Sequence, residues 1–158
     1  MDSIYREHAR TVYNYLLRLC HNDSWAEELT QETFYRAVYS IHKYNGTCKM
    51  SVWLCQIAKH VWYQELSKRN RRRVETMDDD HPDANATPEE QWMLAADKME
   101  LYRAIHTLEE PMREVVHLRL SGEFSFMEIT QIMGKSENWA RVTFYRAKQK
   151  IIKGANSI

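Results

Sequence analysis

Cys20, Cys48, Cys55 and His60 are the first side chains whose types could do chemistry. The cysteines are odd in number and share no short paired spacing, so neither a disulfide framework nor a zinc knuckle is indicated. Cys48, Cys55 and His60 lack a fourth ligand and a regular interval, which leaves helix packing by reduced thiols as their expected role. No Gly-rich phosphate loop, nucleophile elbow or paired-histidine metal motif occurs in the sequence. The expectation is therefore a protein with no catalytic residue, no metal, no cofactor and no small-molecule substrate.

The chemistry that remains is recognition by charge, amide and ring. In FSFMEITQIMGKSENWARVTFYRAKQKI, Ala140, Phe144, Ala147 and Ile151 recur at i, i+4, i+7 and i+11 and form a buried stripe. That stripe turns Asn138, Arg141, Val142, Tyr145, Lys148 and Gln149 outward, a face rich in bases and amides. Arg can bridge guanine O6 and N7, and Asn can do the same for adenine. A second set, Glu28, Gln31, Glu32 and Tyr35, has spacing i, i+3, i+4, i+7 and makes one outward polar face, which the residues alone favour as an ordinary solvated helix surface. Trp53, Trp62 and Tyr63 fit a helix core, yet with Lys59, Lys68 and Arg69 beside them they also have the composition that holds single strands.

Helices must position these groups. Gly 4 and Pro 3 are few for 158 residues, and an all-α protein is expected. VETMDDDHPDANATPEEQ contains two of the three prolines and almost no large apolar residue, too little to offset ordering. It reads as a flexible acidic linker, residues 74–94, between two small helical domains at 1–73 and 95–158. Tyr5, Ala9, Val12, Tyr13, Leu16, Leu17 and Cys20 mark a first helix; a second has Ser24 and Glu27 as a capping box and buries Ala26, Leu29, Thr33, Ala37 and Ile41. A third, from about Ser51, buries Met50, Leu54, Ile57, Ala58 and Val61. In the second domain Met99, Tyr102, Ile105, His106 and Leu108 make one helix, and Val115, Val116, Leu118 and Leu120 another after Pro111. Ser125 and Glu128 have capping-box spacing, Gly134 stops that helix, and Ser136 caps the last. The arrangement is a helix-turn-helix, whose second helix fits a major groove.

Net charge is zero, from 22 basic and 22 acidic residues, but the signs are segregated. Lys59 to Arg73 holds six bases against Glu65, Glu75 to Glu90 holds seven acids and no Lys or Arg, and Gly134 to Lys153 holds six bases against Glu137. Such blocks suit separate surfaces for separate partners. The polar N-terminus MDSIYREHAR lacks a signal-peptide core and no long apolar run follows, so a cytoplasmic chain that spans no membrane is expected.

Three stretches carry a family resemblance. AEELTQETFYRAV resembles the second conserved region of extracytoplasmic-function RNA polymerase sigma factors, of the sigma-70 family. VWLCQIAKHVWYQELSKRNRR is similar to that family's promoter-melting helix, and LEEPMREVVHLRLSGEFSFMEITQIMGKSENWARVTFYRAK to its fourth region. His60 and Gln64 stand where the family often has Asn and Asp, Asn138 and Trp139 where Gly-Thr is frequent, and Thr143 where a base is common. The resemblance implies that Glu28, Gln31, Glu32 and Tyr35 dock on the RNA polymerase core. It implies that Tyr44, Asn45, Lys49, Trp53, Lys59 and Tyr63 receive the melted minus-ten strand of promoter DNA. Ser136, Asn138, Arg141, Val142, Tyr145, Arg146 and Lys148 would meet the minus-thirty-five duplex. An anti-sigma partner at the membrane, common in that family, is an expectation from the resemblance alone. The other readings of the chain are a free-standing helix-turn-helix regulator and a helical adaptor that never touches DNA.

Overall fold

The computed structural model describes residues 1–76 and 96–156, with side chains for 1–72 and 100–154. Among the described residues every regular element is helical, as the composition predicts. The chain divides into two units, Met1–Asn85 and Ala86–Ile158. The linker expected at 74–94 lies almost wholly outside the described residues; its first three positions belong instead to the third helix.

Unit 1 packs α1 (Asp2–Cys20), α2 (Asp23–Ser40) and α3 (Met50–Thr76) against one another, with a single 3-10 turn at Ile41–Lys43. α1 buries Val12, Tyr15, Leu16 and Cys20, while Ala9, Tyr13 and Leu17 are only half-buried and Tyr5 is exposed along its outer edge. α2 starts earlier than its expected cap. Asn22, not Ser24, is the N-cap, its Oδ1 accepting the Trp25 N–H at 2.9 Å, and Ser24 is an exposed residue inside the helix. The shift has a cause in packing: starting at Asp23 turns Trp25 inward, where its ring meets Trp62 of α3 at 4.8 Å. The Arg69 guanidinium covers Trp25 at 3.6 Å, so this aromatic pair is capped by a cation. Trp62, only 8% exposed, is thereby core and leaves the candidate strand-holding set.

α2 buries two threonines without leaving a hydroxyl unsatisfied. Thr30 Oγ1 donates to the Ala26 carbonyl and Thr33 Oγ1 to Leu29, each at 2.7 Å. α3 begins at Met50 and buries Val52, Leu54, Cys55, Ala58, Val61 and Trp62, whereas Met50 and Ile57, expected inside, are half-buried.

Unit 2 comprises α4 (Ala96–His106), α5 (Met112–Leu120), α6 (Phe126–Met133) and α7 (Glu137–Asn156). Its core gathers Ile105, Leu108, Val116 and Ala147, with Met112, Phe144 and Ile151 packed around them. Tyr102, His106 and Leu120, read as inward, are exposed. The Met99 side chain lies outside those described.

Candidate nucleic-acid and partner interfaces

On α2 the polar stripe faces outward as its spacing requires. Glu28, Gln31 and Tyr35 are exposed, and Glu32 is partly so. Glu32 Oε1 accepts from Arg36 Nε at 2.7 Å, and the same guanidinium reaches across to Gln64 Oε1 on α3. Tyr35, 60% exposed, meets the Tyr39 ring edge-on at 5.0 Å. A hydrogen bond with Tyr39, helped by the nearby Glu32 charge, holds the Tyr35 phenol above its ordinary pKa. Val38 and Tyr39 extend this exposed face and were missed in the sequence. The signal was there, since neither residue falls on the buried stripe through Ala26, Leu29, Thr33 and Ala37.

The loop before α3 is held by its own polar groups. Tyr44 Oη donates to the Cys48 carbonyl at 2.6 Å, and its ring lies 5.3 Å from that of Trp53. Asn45 Oδ1 accepts from the Thr47 N–H and Oγ1 at 3.1 and 2.7 Å, and Gly46 completes the turn with φ of 75°, a conformation that glycine adopts without strain. Lys49 is exposed next to this turn. Further along α3, the Lys59 ammonium lies over the exposed Tyr63 ring at 5.5 Å. Six expected strand contacts thus fall into a loop group, Tyr44, Asn45, Lys49 and Trp53, and a helix pair, Lys59 with Tyr63. An open groove lined by His60, Tyr63, Gln64, Ser67, Lys68 and Arg71 continues that face, and of its cations Arg71 was not singled out in the sequence.

In unit 2 the helix-turn-helix is built from local caps. Ser125 Oγ accepts the Glu128 N–H and Glu128 Oε2 accepts the Ser125 N–H, both at 3.2 Å, a complete capping box. Gly134 ends α6 at φ 69°, its N–H on the Thr130 carbonyl at 2.8 Å. Ser136 Oγ then accepts the Trp139 N–H at 3.2 Å and caps α7. The resulting rotation exposes Asn138, Arg141, Tyr145, Arg146 and Lys148, whereas Val142 and Gln149 are half-buried at the edges of the face. Ser136 is exposed, with its oxygen engaged in the cap. Arg141 donates from Nη2 to Glu137 Oε1 at 2.8 Å.

Among the described residues no group of three or more His, Cys, Asp or Glu gathers as a metal ion would require, so Cys48, Cys55 and His60 do not converge on one. Burial pushes the Cys20 and Cys48 thiols above their ordinary pKa, which disfavours the thiolate that would react or ligate. No described helix is long and apolar enough to cross a membrane.

The class these features define is a two-unit, all-α protein with a helix-turn-helix in its second unit. Residues 4–72 match the family described as Sigma-70 region 2. The ECF RNA polymerase sigma factor SigM of Bacillus subtilis is 30% identical over 156 residues, covering 96% of this chain and 92% of SigM. RNA polymerase sigma factor YlaC of the same organism is 27% identical over 97% of this chain and 90% of its own. Sigma factor RpoE from Bartonella quintana, solved in complex with the anti-sigma factor NepR, shares the fold at a TM-score of 0.79 and 18% identity, over 96% of this chain and 94% of that one. The chain belongs to the extracytoplasmic-function RNA polymerase sigma factors. It directs bacterial core polymerase to specific promoters and initiates transcription there, which displaces the free-standing regulator.

Proposed function

We propose a division of this work between the units. Unit 1 docks core polymerase through Glu28, Gln31, Glu32 and Tyr35 on α2 and holds the melted minus-ten strand with Tyr44, Asn45, Lys49, Trp53, Lys59 and Tyr63. Capture favours melting because a base stacks on these rings, at ~1–3 kcal/mol, only after leaving the duplex. Unit 2 places α7 in the major groove of the minus-thirty-five element. Arg141 and Asn138 read bases there, Ser136, Val142 and Tyr145 border them, and Arg146 and Lys148 hold phosphates. The chain acts in the cytoplasm and carries no active site, phosphodiester synthesis belonging to the polymerase. An anti-sigma factor is a further partner, a reading supported by the NepR-bound neighbour of the same fold.

One observation carries the duplex-reading half: the capped turn from Ser125 to Ser136 orients α7 so that its cations and amide face outward together. A promoter-variant library transcribed with mutant holoenzymes tests it. Arg141→Ala should relax preference at one or two base pairs, losing ~1–3 kcal/mol of discrimination. Lys148→Ala should weaken all sequences alike and flatten the salt dependence. Unchanged preferences with Arg141→Ala would mean that α7 does not enter the groove in this rotation.

A further inference from the structure

Resting on the strand-holding role of unit 1, we infer that Gln64 is a further promoter contact and that Arg36 is the positioning residue that aims it. Arg36 takes the Gln64 carbonyl oxygen and leaves the amide N–H donors to meet a hydrogen-bond acceptor on the promoter strand. Neither residue belongs to the loop group or to the Lys59 and Tyr63 pair.

Arg36, on α2, is half-buried and held at two points. Its Nε donates to Glu32 Oε1 at 2.7 Å, one turn back on the same helix, and its Nη1 donates to Gln64 Oε1 on α3. A guanidinium has five N–H donors and no acceptor, so the atom that Gln64 turns to it must be the amide oxygen. That contact decides which way round the amide sits. Nε2, at its other end, has no acceptor among the described residues. Gln64 is exposed and lines the groove with His60, Tyr63, Ser67, Lys68 and Arg71. A glutamine free to flip offers a groove either oxygen or nitrogen, whereas this one offers two N–H donors.

Joining α2 to α3 explains part of the arrangement. A carboxylate at position 64 would do that better, since a charged acceptor makes the stronger bond to a guanidinium. It would also leave the groove without these donors. The amide keeps two of them on a face where Lys68 and Arg71 already favour an anionic strand. The acceptors that such a strand carries are base oxygens and ring nitrogens on one side and phosphate oxygens on the other. Fixing the amide beforehand reduces the rotamer freedom lost on binding, which is the contribution of the Glu32 and Arg36 pair.

The test uses the full chain in excess over bacterial core polymerase, so that weaker docking through Glu32 is not read as weaker DNA binding. Wild-type holoenzyme selects from a pool of forked DNA, duplex joined to single strand and randomised in both parts. Affinities are then measured for the selected DNA and its single-base variants. Tyr63→Ala, which removes a ring of the strand-holding set, is the reference and should weaken binding. Gln64→Met keeps the length of the side chain and removes its polar groups. It should weaken binding about 3- to 10-fold, as one lost hydrogen bond does, and flatten the preference at one base position. Because the amide is neutral, the salt slope should stay at wild type. Arg36→Met should flatten the same position, and the double variant should be no worse there than Gln64→Met alone. A loss equal for every sequence, still shared by the two single variants, assigns the acceptor to a phosphate instead of a base. The inference is overturned if Tyr63→Ala weakens binding and Gln64→Met does not, or if Arg36→Met leaves every affinity at wild type. Losses that add in the double variant overturn it too, since Arg36 then does not act through Gln64. If the pool yields no preferred DNA, or Tyr63→Ala binds as wild type, the strand-holding role of unit 1 itself falls and takes the Gln64 contact with it.

Discussion

Tyr13 shows how one polar side chain ties two helices together. Its hydroxyl donates to Asp23 Oδ1 at 2.9 Å, joining α1 to the first turn of α2. Partial burial, the hydrogen bond to Asp23 and the charge of that carboxylate together push the phenol from 10.0 up to about 12. The proton is thus held more tightly in the folded state than in the unfolded one. The stabilising contribution is complete below pH 10 and is lost as pH rises towards 12. Tyr13→Phe removes the hydrogen bond and should cost about 0.5–1.5 kcal/mol at neutral pH. It should also remove this step from the alkaline unfolding curve. Urea midpoints measured from pH 7 upward check both, and an unaltered alkaline slope in the variant would exclude Tyr13 as the titrating group.

At the scale of elements, the features most legible in the sequence were the local ones. The Ser125–Glu128 box, Gly134 and Ser136 form bonds within three or four residues, so their spacing alone predicts them. The α2 face was legible for the same reason, since the buried stripe through Ala26, Leu29, Thr33 and Ala37 sets the rotation of everything else on that helix. What escaped was long-range. Asn22 and Ser24 are both good caps locally, and only the fit of Trp25 against Trp62 and Arg69, residues of another helix, decides between them. Tyr15 replaces Tyr13 in the core because α1 is packed by two helices and its apolar stripe is wider than one face. The stacking of Arg119 and Arg141 on Phe126 likewise joins three helices and has no period to read. The legible α2 face yields a prediction: Glu28→Lys with Glu32→Lys should abolish co-purification with core polymerase. Helicity and thermal melting should barely change, because an exposed pair such as Glu32 with Arg36 is worth ~0–1 kcal/mol, whereas reversing charge across a complementary interface costs far more. Normal retention of the double variant on polymerase would remove the docking role from this face.

At the scale of the whole molecule, a net charge of zero conceals a chain whose acids and bases are segregated along its length. Each unit also has its own core, with Leu16, Leu29, Leu54 and Val61 in the first and Ile105, Leu118, Ile129 and Ala147 in the second. If the two cores are separate cooperative units, a cavity in one removes packing only from its own neighbours. Ile129, fully buried between the caps of α6, offers a small and well-defined deletion. Ile129→Val should cost about 1 kcal/mol and lower the transition of unit 2 by roughly 4–8 °C. Val61→Ala should lower only that of unit 1. Hydrogen exchange followed by peptide separates the two, residues 1–72 reporting on one unit and 100–154 on the other. If either substitution loosens both sets of peptides together, the cores are energetically one, and promoter contacts made by one unit are then thermodynamically linked to the folding of the other.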